Sequence, residues 1–171
     1  MKKLIVLTLI SLISINYINN NEYVEIPKNS LRFRIIANSN SKADLENKKI
    51  LKDNLTEEII KLNAKSNSSD ESISNIIEND EKIRKTIDKI LAKNNIRESY
   101  DVKLGENYFP EKIYKGIKYN AGNYNSYVIT LGEGKGENFW CVLFPPICGI
   151  DENKSNYEYR SIIKDIINKY N

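Results

Sequence analysis

Two cysteines, Cys141 and Cys148, bracket the segment Val-Leu-Phe-Pro-Pro-Ile. Thiols at this spacing have several options. They can join, provided the segment turns back and brings their Cα atoms within about 7 Å, and Pro145-Pro146 could set that turn. They can stay buried and free, or one can serve as a nucleophile or metal ligand. The chain contains no histidine, which removes Ser-His and Cys-His catalysis together with His-containing metal sites. Two thiolates without other soft ligands rarely close a zinc shell. The carboxylates are scattered among lysines, with no isolated pair set in apolar sequence that would raise a pKa for acid–base work. Gly132-Glu133-Gly134-Lys135-Gly136 has the glycine content of a phosphate cradle. A dinucleotide fingerprint, however, needs another spacing and an immediately following helix. Here Phe139-Trp140-Cys141-Val142-Leu143-Phe144 follows, so the glycines read as turn residues. No cofactor and no metal are expected.

The elements that would hold these residues follow from periodicity. Leu31, Phe33 and Ile35 alternate with Arg32 and Arg34, as in a strand with one face on a core. The arginines then share the opposite face, either solvated, paired with carboxylates or meeting an acidic partner. Asn38-Ser39-Asn40-Ser41 can end this strand and cap a helix. Leu51, Leu55, Ile59 and Leu62 mark that helix. After a polar break at Lys65 to Ser69, a second carries Ile73, Ile76, Ile77, Ile83, Ile87, Ile90 and Leu91. Both stripes read as core. Tyr100, Val102 and Leu104 form a strand that stops at Gly105. Tyr124 to Leu131 and Phe139 to Phe144, joined by the glycine-rich turn, read as a β-hairpin. Ile162, Ile163, Ile166 and Ile167 place a last helix over Tyr157 to Tyr170. The fold class expected is α+β: a mainly antiparallel sheet of about four strands with helices packed on one face.

The first twenty residues stand apart. Lys2 and Lys3 precede an unbroken apolar run from Leu4 to Ile15, which is the architecture of an export signal. At twelve residues the run is short for a spanning helix, which needs about twenty. Residues 1–20 are therefore expected to be a signal peptide or N-terminal membrane anchor, and residues 21–171 a single α+β domain. Without Lys2 and Lys3 the formal charge falls from +3 to +1, and lysines alternate with acidic residues. A nucleic-acid partner normally calls for a concentrated basic face, so none is expected. Membrane contact is expected only through the export signal or tether. On the body, Trp140 and Phe144 beside the proline pair are candidates for either core or an exposed protein-binding patch.

Three blocks of this chain resemble one known family. Asn138-Phe139-Trp140-Cys141-Val142-Leu143-Phe144-Pro145-Pro146-Ile147-Cys148 is similar to the signature of stage II sporulation protein R. Leu31-Arg32-Phe33-Arg34-Ile35-Ile36-Ala37-Asn38-Ser39-Asn40-Ser41 resembles the family's Arg-x-Arg-hydrophobic-hydrophobic-Ala-Asn-Ser-Asp-Ser block. Phe109-Pro110-Glu111-Lys112-Ile113-Tyr114 and Ala121-Gly122-x-Tyr124 resemble the elements between them. Asn40 stands where the family has Asp, Phe139 where Trp is usual, and Asn120 where Pro often precedes Ala-Gly.

The resemblance implies a signalling protein of endospore formation without catalysis of its own. Such proteins are exported from the forespore into the space between forespore and mother cell. There they are needed to activate a membrane-embedded aspartic protease of the mother cell, which cleaves the pro-form of the early mother-cell sigma factor. On this reading Arg32, Arg34, Trp140 and Phe144 are candidate partner contacts, and Cys141 and Cys148 a possible disulfide. Two other classes compete: an exported envelope hydrolase using Cys141 or a carboxylate pair, and an envelope-glycan binding module suggested by the eleven tyrosines.

Overall fold

A computed structural model describes residues 23–151 and 153–170; the expected export segment lies outside the described residues. Among the described residues the order is β1 (Val24–Glu25), β2 (Leu31–Ile36), α1 (Lys42–Asn63), α2 (Ser69–Lys93), β3 (Tyr100–Phe109), β4 (Lys112–Tyr114), β5 (Ile117–Tyr119), β6 (Gly122–Leu131), β7 (Asn138–Phe144) and α3 (Asn156–Tyr170). This is the expected α+β class. The larger sheet has the order β3-β6-β2-β7; β3 with β6 and β2 with β7 are antiparallel, and β2 with β6 is parallel. A smaller sheet, β1-β5-β4, was not foreseen from the sequence, because strands of two or three residues are too short to show alternation.

The helices begin where polar side chains satisfy their first amides. Ser41 Oγ accepts the Asp44 N–H at 3.1 Å, and Ser68 Oγ accepts the Glu71 N–H at 3.1 Å. Leu51, Leu55 and Ile59 of α1 and Ile76, Ile83, Ile87, Ile90 and Leu91 of α2 then pack on Leu31, Phe33, Ile35, Tyr127, Ile129 and Leu131 of the sheet. Ile77 departs from the expected stripe and is 58% exposed. Neighbours on a helix point about 100° apart, so Ile76 and Ile77 cannot both face the same sheet. At the junction of α1 and α2, the buried Ser72 hydroxyl donates to Asn63 Oδ1, and Asn63 Nδ2 donates to the Ile59 carbonyl at 2.9 Å. The second core lies across the sheet, where Ile26, Ile117, Val142, Ile147, Tyr159, Ile163 and Ile167 unite the smaller sheet with α3.

Two strand expectations are corrected. β3 does not stop at Gly105 but runs through it to Phe109; glycine there holds φ +141°, which other residues rarely adopt. More consequentially, β6 and β7 do not form a hairpin, because β2 lies between them and pairs with both. Residues 132–137 instead pass over the end of β2. Neighbouring strands are about 4.8 Å apart, so two spacings are well within the reach of six residues.

Hydrogen bonds pin this crossing to the turn after β2. Lys135 and Gly136 N–H donate to the carbonyls of Asn38 and Ala37, each at 2.9 Å. Asn38 Oδ1 accepts the Glu133 N–H and Asn40 Oδ1 accepts the Glu137 N–H, each at 2.8 Å. At Gly136 a Cβ would collide with the Ser39 carbonyl, which accounts for glycine at the closest approach. The Asn-Ser-Asn turn and the glycine-rich loop are therefore two halves of one clasp.

Candidate functional site

β7 is an edge strand, and its pleat divides the aromatic segment between two faces. Phe139 turns toward the helices, edge-on to Phe33 with centroids 6.2 Å apart. Trp140 turns the other way and meets Phe109 edge-on at 5.3 Å. Beyond the strand the chain doubles back through Pro145-Pro146, with the Phe144–Pro145 peptide cis. Ile147 and Cys148 N–H donate to the Val142 carbonyl at 3.2 and 2.8 Å, closing a tight loop. Across it Cys141 and Cys148 are joined, with Cα atoms 5.1 Å apart. A sulfur held this way has no thiolate to offer, which removes the nucleophile reading of Cys141.

A groove of about 550 Å³ runs along this strand. One wall is α1, through Lys52, Thr56 and Ile60; the other is Lys112, Tyr114 and Tyr119 of the smaller sheet; Ile147 to Ile150 of the disulfide loop close one end. Phe139, Trp140 and Cys141 line the strand side. Two cations lie on its rings: Lys52 Nζ is 5.3 Å from the Phe139 centroid and Lys112 Nζ 5.4 Å from that of Trp140. Among the described residues no group of three or more cysteine, aspartate or glutamate side chains is placed to hold a metal ion.

The four residues expected to meet a partner are placed differently from one another. Trp140 lines the groove and is half-buried. Arg34, also half-buried, lies beneath it, with Cζ 4.7 Å from the Phe109 centroid. Arg32 is 1% exposed; its Cζ lies 3.3 Å from the Tyr124 centroid and 5.1 Å from that of Phe109. Nε, Nη1 and Nη2 of Arg32 have no hydrogen-bond partner among the described residues. Burial lowers the pKa of both guanidinium groups from the ordinary value. Phe144 is buried and meets Tyr170 of α3 edge-on at 5.2 Å. Thus Arg34, Trp140 and Phe109 form one stack under the groove, whereas Arg32 and Phe144 do not present their side chains at the surface.

Sequence reasoning missed Phe109, Tyr124, Tyr119 and Lys112 as parts of this arrangement. Their types were visible, but only the pairing of β3 and β6 beside β2, and the packing of the smaller sheet with β4 and β5 against the larger one, brings them together. Tyr119 is half-buried, and desolvation raises its pKa above the ordinary tyrosine value. Its hydroxyl is therefore neutral at physiological pH.

The architecture is that of an α+β protein with a ring-lined groove along an open sheet edge. The sequence model described as Stage II sporulation protein R matches residues 27–154, a span that contains β2, the clasp, all of β7 and the disulfide loop. The chain belongs to the stage II sporulation protein R family. It is 35% identical over 133 residues to the stage II sporulation protein R of Bacillus subtilis (strain 168), a match covering 78% of this chain and 59% of that relative. The aligned part thus spans less than two thirds of the relative's length. No solved structure matches the chain.

Proposed function

We propose that this protein is an exported signalling protein of endospore formation, which activates a membrane-embedded aspartic protease of the mother cell and so triggers processing of the pro-form of the early mother-cell sigma factor. Family membership over residues 27–154 carries this reading, since that span includes the groove's strand side, both walls and the disulfide loop, and leaves out only Tyr159 of its lining. The groove supports recognition rather than chemistry: its strand side is aromatic and backbone, its one cysteine pair is bonded, and its two carboxylates, Asp53 and Glu57, are paired with Lys49 and Lys61 and held below the ordinary carboxylate range. Activation by a binding protein is a population shift, in which the domain binds the active arrangement of the protease more tightly than the inactive one. Trp140 is assigned the contact, and Arg34 the support of its ring through Phe109. Arg32 and Phe144 act from beneath, by holding β2 and the loop after β7 in place.

The test is reconstitution in a non-sporulating host that makes the cognate protease and its pro-sigma substrate, with cleavage followed by immunoblot. Processing is expected only when this chain is present and exported. An intact substrate beside a protease shown to be competent would remove the assignment. Trp140→Ala, if it melts like the wild type, is expected to lower processing potency about tenfold or more, the scale of a central aromatic contact.

A further inference from the structure

We propose that the open edge of β7 takes an extended segment of the partner protein as an added strand, with an acidic side chain of that segment meeting Lys112. The phase of the ladder shows which backbone groups are available. In an antiparallel pair, residues alternate between bonding their neighbour strand and pointing away from it. The Ala37 N–H donates to the Glu137 carbonyl at 3.2 Å, so Glu137 is in the inward phase, and with it Phe139 and Cys141. Val142 is in the outward phase, because its carbonyl accepts Ile147 and Cys148 of the disulfide loop rather than β2. Asn138 and Trp140 share that phase. Both amides and both carbonyls of these two residues, with the Val142 N–H, therefore face away from the sheet along the groove.

Protein sheets generally protect such an edge, by bulges, inward charges or a covering element. Here α1 and the smaller sheet flank the edge without covering it and leave the 550 Å³ groove between them. The disulfide loop occupies the last outward carbonyl, so an added strand has a fixed end and hence a fixed register. Main-chain pairing supplies affinity in this mode of recognition, and pockets for alternate side chains supply selectivity. Alternation sends one set of the guest's side chains toward Phe139 and α1, and the other toward Trp140 and Tyr119. Beside Trp140, Lys112 is exposed and paired with no carboxylate among the described residues. It gives the second set a preference for an acidic residue.

This proposal rests on the signalling reading only for the identity of the partner, and two measurements separate them. In the first, the purified chain is titrated with the capped peptide Thr-Val-Glu-Val-Thr-Val while amide exchange is followed residue by residue. Exchange at Asn138 and Trp140 is expected to slow, with Phe139 and Cys141 unchanged because β2 already protects them. Methylating alternate peptide nitrogens on the pairing edge should abolish the effect, and Asn138→Pro should weaken binding about tenfold by deleting one outward donor. Proline is tolerated where an edge N–H faces solvent, so that variant should fold. Protection mapping elsewhere, equal binding by the methylated peptide, or no binding at millimolar peptide would overturn the proposal. In the second, Asn138→Pro enters the processing assay. Wild-type potency there would overturn the edge as the partner's site, while leaving the protease reading intact. Failure of the wild type to trigger processing would sink the protease reading instead, and the peptide titration would still decide the edge.

Discussion

On one side of β2, Leu31, Phe33 and Ile35 meet aliphatic side chains of α1 and α2; on the other, Arg32 and Arg34 meet the rings of Tyr124 and Phe109. Both sides are largely dry, yet they are held differently. The helix side works by area: its side chains are buried, and the Tyr127 hydroxyl among them donates to Asp80 at 2.7 Å. The far side buries a guanidinium whose nitrogens lie against rings and have no hydrogen-bond partner among the described residues. Desolvating a cation costs several kcal/mol, and stacking on rings returns about 2 kcal/mol. The helix side therefore carries stability, and the cation–ring side carries shape, since it sets Phe109 beneath Trp140 and gives the groove its floor.

Phe33→Ala should produce the largest effect, a loss of about 3–5 kcal/mol in chemical denaturation, because it empties a fully buried ring site between sheet and helices. A loss below about 1 kcal/mol there would dissolve the contrast. Next comes removal of the disulfide, which ties Cys141 on the helix side to a loop whose Ile147 belongs to the opposite core. Cys141→Ala with Cys148→Ala is expected to cost about 2–3 kcal/mol, and to weaken processing beyond what that loss explains, since the loop closes the end of the groove. Arg32→Met should change stability by no more than about 1 kcal/mol in either direction, because it trades ring stacking for the relief of a buried, unpaired cation. A loss as large as that of Phe33→Ala would show that the guanidinium itself stabilises the far side.

The smallest effect concerns the clasp. Hydrogen bonds, first from Ser39 and then from Ser41 and Asn38, hold the Asp44 carboxyl below its ordinary value of 3.8. A carboxyl depressed in the folded state contributes stability that is complete above the unfolded pKa and is lost as pH falls through the folded one. Asn38 also accepts the Glu133 N–H, so protonating Asp44 loosens the crossing loop. The protection of the Glu133 amide, the factor by which it exchanges more slowly than an unstructured amide at the same pH, is expected to fall as pH drops below 3.8, and Asp44→Asn should show low protection at every pH. The groove's own amides should not follow.

What the sequence determined by itself was the set of longer elements and their inward faces. A 3.6-residue stripe such as Leu51, Leu55 and Ile59 has one way to hide its apolar atoms, and the alternation of Leu31, Phe33 and Ile35 likewise marks the face that meets the helices. The cysteine pair and its proline turn were also open to reading, because they lie seven residues apart and depend on local geometry alone. Tertiary structure decided everything that depends on which strand lies beside which. Six residues of glycine-rich loop fit a hairpin and fit a crossing over β2 equally well, since either span is short for them. Alternation says that Arg32 and Arg34 share a face, but not that β3, β5 and β6 bring rings to cover it. The edge of β7, the groove beside it and the phase of its outward amides all follow from pairings between residues about a hundred positions apart, which no local pattern encodes.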